Sequence, residues 1–463
     1  MKKQFTQLLA ACIVFAACAP QPEQSAPKDP LAGAVTVTSI APDRGLADPH
    51  AMIVNDTIYV MCGHDKTWNT RDFCQMDRWE LWQSTNMKDW NYVLSIRNVD
   101  TYMGTADNCW AGDLAMKDGK FYWYFSNRNF DTGVMVAPSM HGPWSDALGK
   151  PLLPSEIVPN KKPYDPEIYE EDGVYSIIFG VTQYYIATLG DDMISLKDKP
   201  EKLLIFDSEG KKKNAADKPS MFKRGDFYYL WWGNKYAMSK SLRGPYEFKG
   251  DFIGGQHGSV IEWKGVWYAI QEQHEGNAFY RGVQIVPFDF NEDGTVKLPE
   301  FNEEFPLPGR IYDFRYTTQG WHCEGGGTEV KRQEDGATYI YGEVSKRGAV
   351  ISSIPFLHHP TKMCDGVTVK IHNESGAKLM RVALCSYEEE LRPYTRKAPQ
   401  QVDWAAEEWV DVQLSGRWEE EITIPFTAFK GLKDRIHQIA LQPIADKSSG
   451  KWVVISVELN AAK

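Results

Sequence analysis

The sequence predicts an all-β protein in which a five-bladed β-propeller is followed by a β-sandwich of jelly-roll type. Three observations lead to this prediction. One hairpin pattern recurs five times before residue 300, and helical periodicity is almost absent. Near residue 310 the pattern stops and strand-like runs of another kind follow. We therefore expect two domains, at residues 36–305 and 306–463.

The recurring unit is a turn pair followed by an aromatic-rich, alternating strand. Its copies are "VNDTIYVM" from Val54, "KDGKFYWYF" from Lys117, "EDGVYSIIF" from Glu171, "KRGDFYYLWW" from Lys223 and "WKGVWYAIQ" from Trp263. Turn dipeptides such as Asp-Gly between alternating runs indicate β-hairpins. A spacing of roughly 40–60 residues between units is typical of propeller blades. The alternative is a sandwich of similar hairpins, but the count of five favours the propeller.

The second domain follows the segment "LPEFNEEFPLPGR", which has the composition of a linker. Its strand-like runs, such as "ATYIYGEV", "GVTVKIHN", "EEITIPFTAF" and "KWVVISVEL", lack the blade pattern. In pattern it resembles the carbohydrate-binding modules that accompany polysaccharide-degrading enzymes. The alternative is a packing domain without a ligand.

Residues 1–18 resemble a bacterial lipoprotein signal peptide. Two lysines precede the apolar run Leu8–Ala17, which is too short to span a bilayer and leads to "FAAC". Cys18 would then be the lipidated first residue, and the Pro- and Gln-rich residues 19–35 a flexible tether. We expect a lipid-anchored protein of the bacterial cell envelope, on its periplasmic or outer surface. Plain secretion is the alternative.

Composition narrows the class of partner. The net charge is −11 and no basic block occurs, which argues against nucleic-acid binding. Aromatic residues make up 13% of the chain, and Trp and Tyr suit stacking on the apolar face of a sugar as well as core packing. Six cysteines follow the signal peptide, three in each half, so we expect at most one disulfide per half. We expect a monomer.

Three aspartates occupy equivalent places in three blades. Asp48 in "ADPH" and Asp165 in "YDPEIYEEDGVY" each precede a proline and a hairpin, and Asp217 precedes Pro219 by two residues. Proline favours extended backbone in the residue before it, so we expect Asp48 and Asp165 to be extended. Each aspartate alone fits a turn. Together they predict one site, because a propeller gathers its inner strands and neighbouring carboxylates shift each other's pKa.

The region of about residues 40–300 resembles glycoside hydrolase family 43 and its clan of five-bladed propellers. The stretches "ADPH", "DPEIYEEDGVY", "DKPSMFKRGDFYYLWW", "GGQHGSVIEWKGVWY" and "YRGVQIVPFDFNEDGTV" follow the order of that family. The resemblance implies an inverting hydrolase. Asp48 would be the general base that activates water, and Asp165 the acid that tunes and orients the proton donor.

The proton donor is where the chain departs from the family. The resemblance implies a glutamate followed by a small residue and proline, but this chain has Asp217, Lys218 and Pro219. Aspartate is shorter by roughly 1.5 Å, which is large when catalytic groups must be held within about 0.5 Å. We predict Asp217 as the donor, with Glu272 and His274 in "QEQHE" as substitutes.

The resemblance also implies several binding residues. His257 matches a histidine near the propeller axis that often lies beside a metal ion, so a structural calcium near His257 is one interpretation and a hydrogen-bonded structural histidine the other. Arg281 matches an arginine that approaches the sugar, and Trp110 a pocket aromatic; a surface arginine and a core tryptophan are the alternatives. His64 and Asp65, at a strand end, would bind sugar hydroxyls or form a turn.

Together these features predict an exo-acting glycosidase that requires no cofactor. It would release a terminal arabinofuranose, xylose or galactose from an oligosaccharide or polysaccharide side chain of plant or algal glycans. The main alternative is a carbohydrate-binding propeller that has lost its proton donor. A retaining enzyme acting on fructosides is disfavoured, because the Trp-Met-Asn-Asp-Pro-Asn entry motif is absent.

Overall fold

The structure is a computed structural model. It describes ten ranges of the chain, which are 37–41, 44–66, 74–273, 281–300, 310–314, 317–332, 338–355, 357, 359–388 and 402–462. These residues are strands and loops with four 3-10 helices, at Asn98–Asp100, Ser155–Ile157, Thr361–Met363 and Phe426–Ala428. Within the same ranges no helix is long and apolar enough to cross a bilayer. The all-β prediction is confirmed for the described part of the chain.

The strands before residue 300 are β1 (Thr38–Ser39), β2 (Leu46–Val54), β3 (Thr57–Asp65), β4 (Met76–Ser84), β5 (Asn91–Arg97), β6 (Cys109–Lys117), β7 (Lys120–Asn127), β8 (Asp131–Ala137), β9 (Ser145–Asp146), β10 (Glu167–Glu171), β11 (Val174–Phe179), β12 (Tyr185–Thr188), β13 (Glu201–Lys202), β14 (Ile205–Phe206), β15 (Lys212–Lys213), β16 (Ser220–Arg224), β17 (Phe227–Trp232), β18 (Lys235–Ser239), β19 (Tyr246–Asp251), β20 (Gly258–Trp263), β21 (Val266–Gln273), β22 (Gly282–Phe290) and β23 (Val296–Lys297).

These strands form five sheets, namely β2–β5, β6–β9, β10–β13, β14–β19, and β20–β23 together with β1. Pairing is antiparallel apart from the parallel pair of β14 with β19. The early strand β1 pairs with β22, so the fifth sheet joins the two ends of this region. Strands β2, β6 and β10 each lie at one edge of the first three sheets. Strands β16 and β20 each lie at one edge of the other two.

The five sheets are arranged in a ring. Strands β2, β6, β10, β16 and β20 contact one another in that order, and β20 contacts β2. Five hydrophobic clusters lie between neighbouring sheets, and one of them joins the fifth sheet to the first through Val60, Trp82, Ile270 and Ile285. The aromatic-rich alternation seen in the sequence supplies these clusters, because alternate residues of a strand face the same neighbour.

The predicted hairpins are confirmed. The turns Asn55–Asp56, Asp118–Gly119, Asp172–Gly173 and Lys264–Gly265 have positive φ at both central residues, which is the geometry of type I′ turns. In the fourth sheet the corresponding turn begins with Gly225, whose φ is 56°. Such turns match the twist of the paired strands, so each dipeptide fixes the register of its hairpin.

The strands after residue 309 are β24 (Arg310–Tyr312), β25 (His322–Glu324), β26 (Lys331–Arg332), β27 (Ile340–Val344), β28 (Val350–Ser352), β29 (His359–Pro360), β30 (Cys364–His372), β31 (Leu379–Tyr387), β32 (Trp409–Gln413), β33 (Glu419–Pro425), β34 (Arg435–Gln442) and β35 (Gly450–Ala461).

They form two further sheets. One has the order β26-β27-β35-β30-β33 with β24 on β35, and the other the order β25-β28-β34-β31-β32 with β29 on β34. A single hydrophobic cluster takes Val369 and Val457 from the first sheet and Val382, Ile439 and Leu441 from the second. The two sheets therefore pack on each other. Among the described residues, no hydrophobic cluster includes residues from both before 300 and after 309.

The predicted signal peptide with its lipidated Cys18, the tether at 19–35 and the domain boundary at 305 fall outside the described residues. The six cysteines predicted to form at most one disulfide per half are all described, and all are free thiols: Cys62, Cys74, Cys109, Cys323, Cys364 and Cys385.

Candidate active site

The three predicted acids meet around one histidine. Asp48 lies in β2, whereas Asp165, Asp217 and His257 lie in the loops that lead into β10, β16 and β20. His257 Nδ1 lies 2.7 Å from Asp48 Oδ1, and His257 Nε2 lies 3.3 Å from Asp217 Oδ1. One oxygen of Asp165 lies within 4.8 Å of both Asp217 and His257. The ring of inner strands thus brings together residues that are far apart in sequence.

The backbone at two of these acids is not what the sequence predicts. Asp48 has a φ of 49° and Asp165 a φ of 58°, so the expectation of extended backbone is wrong. Aspartate visits this left-handed region more readily than most residues, because its short polar side chain can bond locally. At Asp48 the pairing of β2 with β3 shifts register between Ala47 and His50. Such a bulge re-aims a side chain, here towards the centre of the ring.

The spacing of the acids bears on the stereochemistry of a hydrolysis reaction. An imidazole ring separates the carboxylates of Asp48 and Asp217, contacting one with each nitrogen. The contacts of 2.7 and 3.3 Å limit the distance between the two contacting oxygens to at most about 8 Å, and the carboxyl groups of inverting glycosidases stand about 6.5–9.5 Å apart. Asp48 is buried, whereas 53% of the Asp217 side chain is exposed. Asp217 is therefore the acid that an incoming ligand reaches first.

His257 is the centre of the local electrostatics. Burial disfavours its imidazolium, but the carboxylates of Asp217 and Asp48 raise the pKa of His257 well above its usual value. Burial also tends to raise the pKa of Asp217, yet the charge of His257 and its hydrogen bond bring that pKa below its usual value. Hence the proton of the His257–Asp217 pair resides on the imidazole. The 2.7 Å contact of His257 Nδ1 with Asp48 Oδ1 is an ion pair that likewise favours the imidazolium.

The pKa values of Asp165 and Asp48 are raised, whereas that of Asp217 is lowered. Burial raises the pKa of Asp165 to about 7, opposed by His257 and reinforced by Asp217 and Asp48. Burial likewise raises the pKa of Asp48, although Arg281 and His257 oppose the shift. A set of neighbouring carboxyl groups with divergent pKa values is the pattern expected of acid–base chemistry.

Arg281 is a buried residue next to Asp48 that bonds to two other carboxylates. Its Nε and NH2 atoms donate to the two oxygens of Asp65, at 2.9 and 2.8 Å, and NH1 donates to Glu272 at 3.0 Å. NH1 also lies 3.6 Å from Asp48 Oδ1. The backbone N–H of Asp48 donates to Glu272 at 3.3 Å. This network supports the bulge that positions the Asp48 carboxylate.

The hydrogen bonds of Arg281 bear on three predicted site residues, which are Arg281 itself, Asp65 and Glu272. Arg281 is 5% exposed, so the alternative of a surface arginine is wrong. Asp65 is buried and uses both oxygens on Arg281, which makes it a positioning residue rather than a turn residue. Glu272 is buried against Arg281 and the Asp48 backbone, an arrangement that does not suit a proton donor. His274, the other substitute donor, lies outside the described residues.

The remaining predicted residues are His64 and Trp110. His64 is buried, with Nδ1 3.0 Å from Asp77. Trp110 is half-buried against the cluster between the first two sheets, and its Nε1 donates to the Cys74 carbonyl at 2.8 Å. The guanidinium of Arg128 lies 5.7 Å from the centre of the Trp110 ring. Trp110 thus combines core packing with a partly exposed edge.

A calcium ion near His257 is not favoured by the donor set. Ca²⁺ takes six to eight oxygen ligands. Here both nitrogens of His257 face carboxylates, and the guanidinium of Arg281 already lies beside Asp48 and Glu272. The carboxylates of Asp48, Asp217 and Glu272 therefore have cationic partners supplied by the chain.

Sequence reasoning missed two groups of residues. Ser126 accepts the Asp165 N–H at 2.8 Å, and the Tyr184 hydroxyl donates to the Asp217 carbonyl. A second polar layer lies next to the acids, formed by His50, Asp113, Glu167 and Lys218. The period of two along a strand was an available signal for this layer, because His50 and Glu167 each follow a predicted acid by two residues.

Comparisons with known proteins agree with this geometry. The family described as glycosyl hydrolases family 43 matches residues 43–296. A xylosidase/arabinosidase of Bacteroides ovatus is 24% identical over 333 residues, which cover 57% of this chain and 98% of that protein. An arabinoxylan arabinofuranohydrolase of Paenibacillus polymyxa is 24% identical over 326 residues, covering 55% of this chain and 50% of that protein.

One solved structure resembles most of the chain. It is a family 43 arabinoxylan arabinofuranohydrolase from Bacillus subtilis in complex with cellotetraose, with a TM-score of 0.50 and 18% identity. The likeness covers 91% of this chain and 96% of that one, and at this identity it shows the fold alone. The family match, by contrast, takes in more than half of the sequence. The protein therefore belongs to glycosyl hydrolases family 43 and is a glycoside hydrolase.

Proposed function

We propose that this protein is an inverting exo-glycosidase that releases a terminal arabinofuranose or xylose from arabinoxylan-type side chains. The observation that carries the proposal is the placement of Asp48 and Asp217 on opposite sides of His257, with Asp165 beside them. The names of the related enzymes, a xylosidase/arabinosidase and an arabinoxylan arabinofuranohydrolase, support a pentose. Neither name refers to galactose, so we do not include galactose in the proposal.

The architecture that we propose is a closed five-bladed propeller followed by a separate β-sandwich. The ring of inner strands and the cluster joining the fifth sheet to the first support the propeller. The two sheets sharing one cluster after residue 309 support the sandwich. Limited proteolysis that never cleaves between residues 300 and 310, together with an insoluble 36–305 fragment, would contradict the division.

In the proposed reaction Asp48 accepts a proton from water while the water oxygen bonds to the anomeric carbon. The glycosidic C–O bond breaks on the opposite face, and the leaving oxygen takes a proton from Asp217. Asp48 suits the role of base because it is buried and held by Arg281. Burial raises the pKa of Asp48, which strengthens its carboxylate as a base, and the charges of Arg281 and His257 limit that rise.

The donor that we propose is the His257–Asp217 pair rather than Asp217 alone. In the free enzyme the imidazole holds the shared proton and Asp217 is ionised. When negative charge develops on the leaving oxygen, Asp217 passes on a proton that it draws from His257 Nε2, 3.3 Å away. In this arrangement His257 supplies the proton that the Asp217 side chain delivers. The binding-protein alternative is disfavoured, because it gives no reason for such a pair.

The pentose assignment is tested by a screen of the full-length protein on aryl pentosides and on arabinoxylan and xylan oligosaccharides. We expect free arabinose or xylose from the oligosaccharides, one unit per cleavage, because an exo-acting enzyme removes single terminal residues. Turnover of galactosides only would overturn the pentose assignment. If no glycoside is hydrolysed but oligosaccharides bind in calorimetry, the carbohydrate-binding alternative replaces the proposal.

We also propose that Cys18 carries a lipid that anchors the protein to the bacterial envelope. The support is the apolar run that ends in "FAAC" and the Pro- and Gln-rich segment after it. Replacing Cys18 with Ser removes the only thiol at the lipidation position. We expect the wild type to partition into detergent and the Cys18→Ser protein into the aqueous phase. Equal partitioning of both would contradict the anchor.

A further inference from the structure

Beside the catalytic acids lies a second group of charged residues to which the proposed reaction assigns no role. It consists of His50, Asp113, Glu167 and Lys218, which we call the inner cluster. All four are buried, and Lys218 is only 2% exposed. They lie on or next to the strands β2, β6, β10 and β16, so the inner cluster joins four of the five strands that form the ring.

The inner cluster is tightly connected. Lys218 Nζ donates to Glu167 Oε2 at 3.1 Å and to the Pro219 carbonyl at 3.0 Å. The other oxygen of Glu167 accepts the backbone N–H of Met221 at 2.8 Å. Glu167 therefore bonds to two successive parts of the segment that follows Asp217, the proposed donor.

Asp113, the second carboxylate of the inner cluster, connects β6 to β2 and β10. Asp113 Oδ1 lies 2.6 Å from His50 Nδ1, and Asp113 Oδ2 accepts the backbone N–H of Ile168 at 2.5 Å. His50 Nδ1 also lies 3.8 Å from Glu167 Oε2. The inner cluster thus contains two carboxylates that meet at one imidazole, with a lysine as the cation.

This donor set is of the kind that holds a metal ion elsewhere. One atom each from His50, Asp113 and Glu167 lie within 4.8 Å of one another, and imidazole with carboxylates is a common ligand combination for transition metals. In this chain, however, an ammonium group already contacts the set. Lysine is a compact point charge with three donors, so it can neutralise a carboxylate and bond to backbone at the same time.

We propose that Lys218 is the built-in cation of the inner cluster, where it does what a divalent metal ion would otherwise do. It neutralises Glu167 and ties the strand after Asp165 to the segment after Asp217, so that the acids are positioned without a bound metal. The family's small residue after the donor is thus replaced by a residue with a structural purpose. Lys218 is a positioning residue, and the inference holds whatever sugar the enzyme releases.

The test is thermal unfolding of the full-length protein, which does not depend on activity. For the wild type we expect EDTA and added CaCl₂ each to move the melting temperature by less than about 1 °C, because no metal contributes to folding. Lys218→Met keeps an unbranched side chain of similar length but leaves Glu167 as an unpaired buried charge. We expect it to lower the melting temperature by roughly 5–10 °C.

Two variants separate charge from packing. In the double variant Lys218→Met/Glu167→Gln the unpaired charge is gone, so at least half of the lost melting temperature should return. Lys223→Met, in strand β16 just after Lys218, is the matched control, because it breaks a partly exposed pair with Glu171 and should shift the melting temperature by no more than about 2 °C.

Three results would overturn the proposal. In the first, EDTA destabilises the wild type and CaCl₂ or ZnCl₂ restores it, which would make a metal the resident cation. In the second, Lys218→Met is as stable as the wild type. In the third, the double variant is no more stable than Lys218→Met. Should Lys218→Met not fold, the response of the wild type to EDTA still decides between lysine and metal.

Discussion

Replacing Asp48 with Asn is expected to lower kcat/KM by about 10²–10⁴-fold on every glycoside that the wild type hydrolyses. The reason is that water must lose a proton whatever group leaves. Asparagine keeps the shape of the side chain but cannot accept that proton. The loss should therefore be similar for an activated aryl pentoside and for a natural oligosaccharide, and it should appear in kcat rather than in KM.

The fold of this variant must be checked, because Asp48 contacts two cations. Arg281 keeps its bonds to Asp65 and Glu272, so we expect the Asp48→Asn protein to fold and to bind oligosaccharide. Circular dichroism and calorimetric binding serve as the controls. A folded Asp48→Asn variant with kcat within about threefold of the wild type, against the expected 10²–10⁴-fold, would remove Asp48 from the role of base.

The second large effect is expected from Asp217→Asn, and it should depend on the leaving group. On natural oligosaccharides we expect a loss of about 10²–10⁴-fold, because a sugar alkoxide is a poor leaving group and the leaving oxygen needs a proton. On an aryl glycoside with an acidic phenol the loss should be less than about tenfold, since such a group leaves with little protonation. A comparison of both substrates with both variants separates acid from base.

The pH dependence of kcat/KM gives a second reading of the same variant. The active form keeps one proton on the His257–Asp217 pair, and the raised pKa of His257 means that this proton is lost only as pH rises well above the ordinary histidine range. The alkaline limb of the wild type should lie correspondingly high. Asp217→Asn cannot pass this proton to the leaving oxygen, so the variant's residual hydrolysis of an aryl glycoside should no longer fall along this alkaline limb. An unchanged alkaline limb would separate His257 from the donor.

Local patterns predicted much of this fold. Dipeptides such as Asp118–Gly119 and Asp172–Gly173 specify type I′ turns by their own backbone preferences, and the alternation beside them specifies which face is buried. Asp48 and Asp165 were found because the repeat places them at equivalent positions. These signals lie within a few residues of one another and need no knowledge of the tertiary structure.

Long-range contacts account for what the sequence did not predict. The rule for residues before proline gave extended backbone at Asp48, whereas a bond from its N–H to Glu272, 224 residues away, accompanies the left-handed geometry. Arg281 looked like a surface or substrate residue because its partner Asp65 lies 216 residues away. Lys218 stands where the resemblance implies a small residue, and its partner Glu167 lies 51 residues earlier in the chain.

The measurement that tests the central claim most directly is proton NMR of the sugar at the moment of its release. The proposal places Asp48 as a base and Asp217 as an acid on different nitrogens of His257, so that they act on opposite faces of the sugar as an inverting pair does. We therefore predict that the first-formed pentose has the anomeric configuration opposite to that of the glycoside, and that the other anomer appears only later, by mutarotation. A first-formed product with the configuration of the substrate would contradict the assignment of Asp48 as a water-activating base.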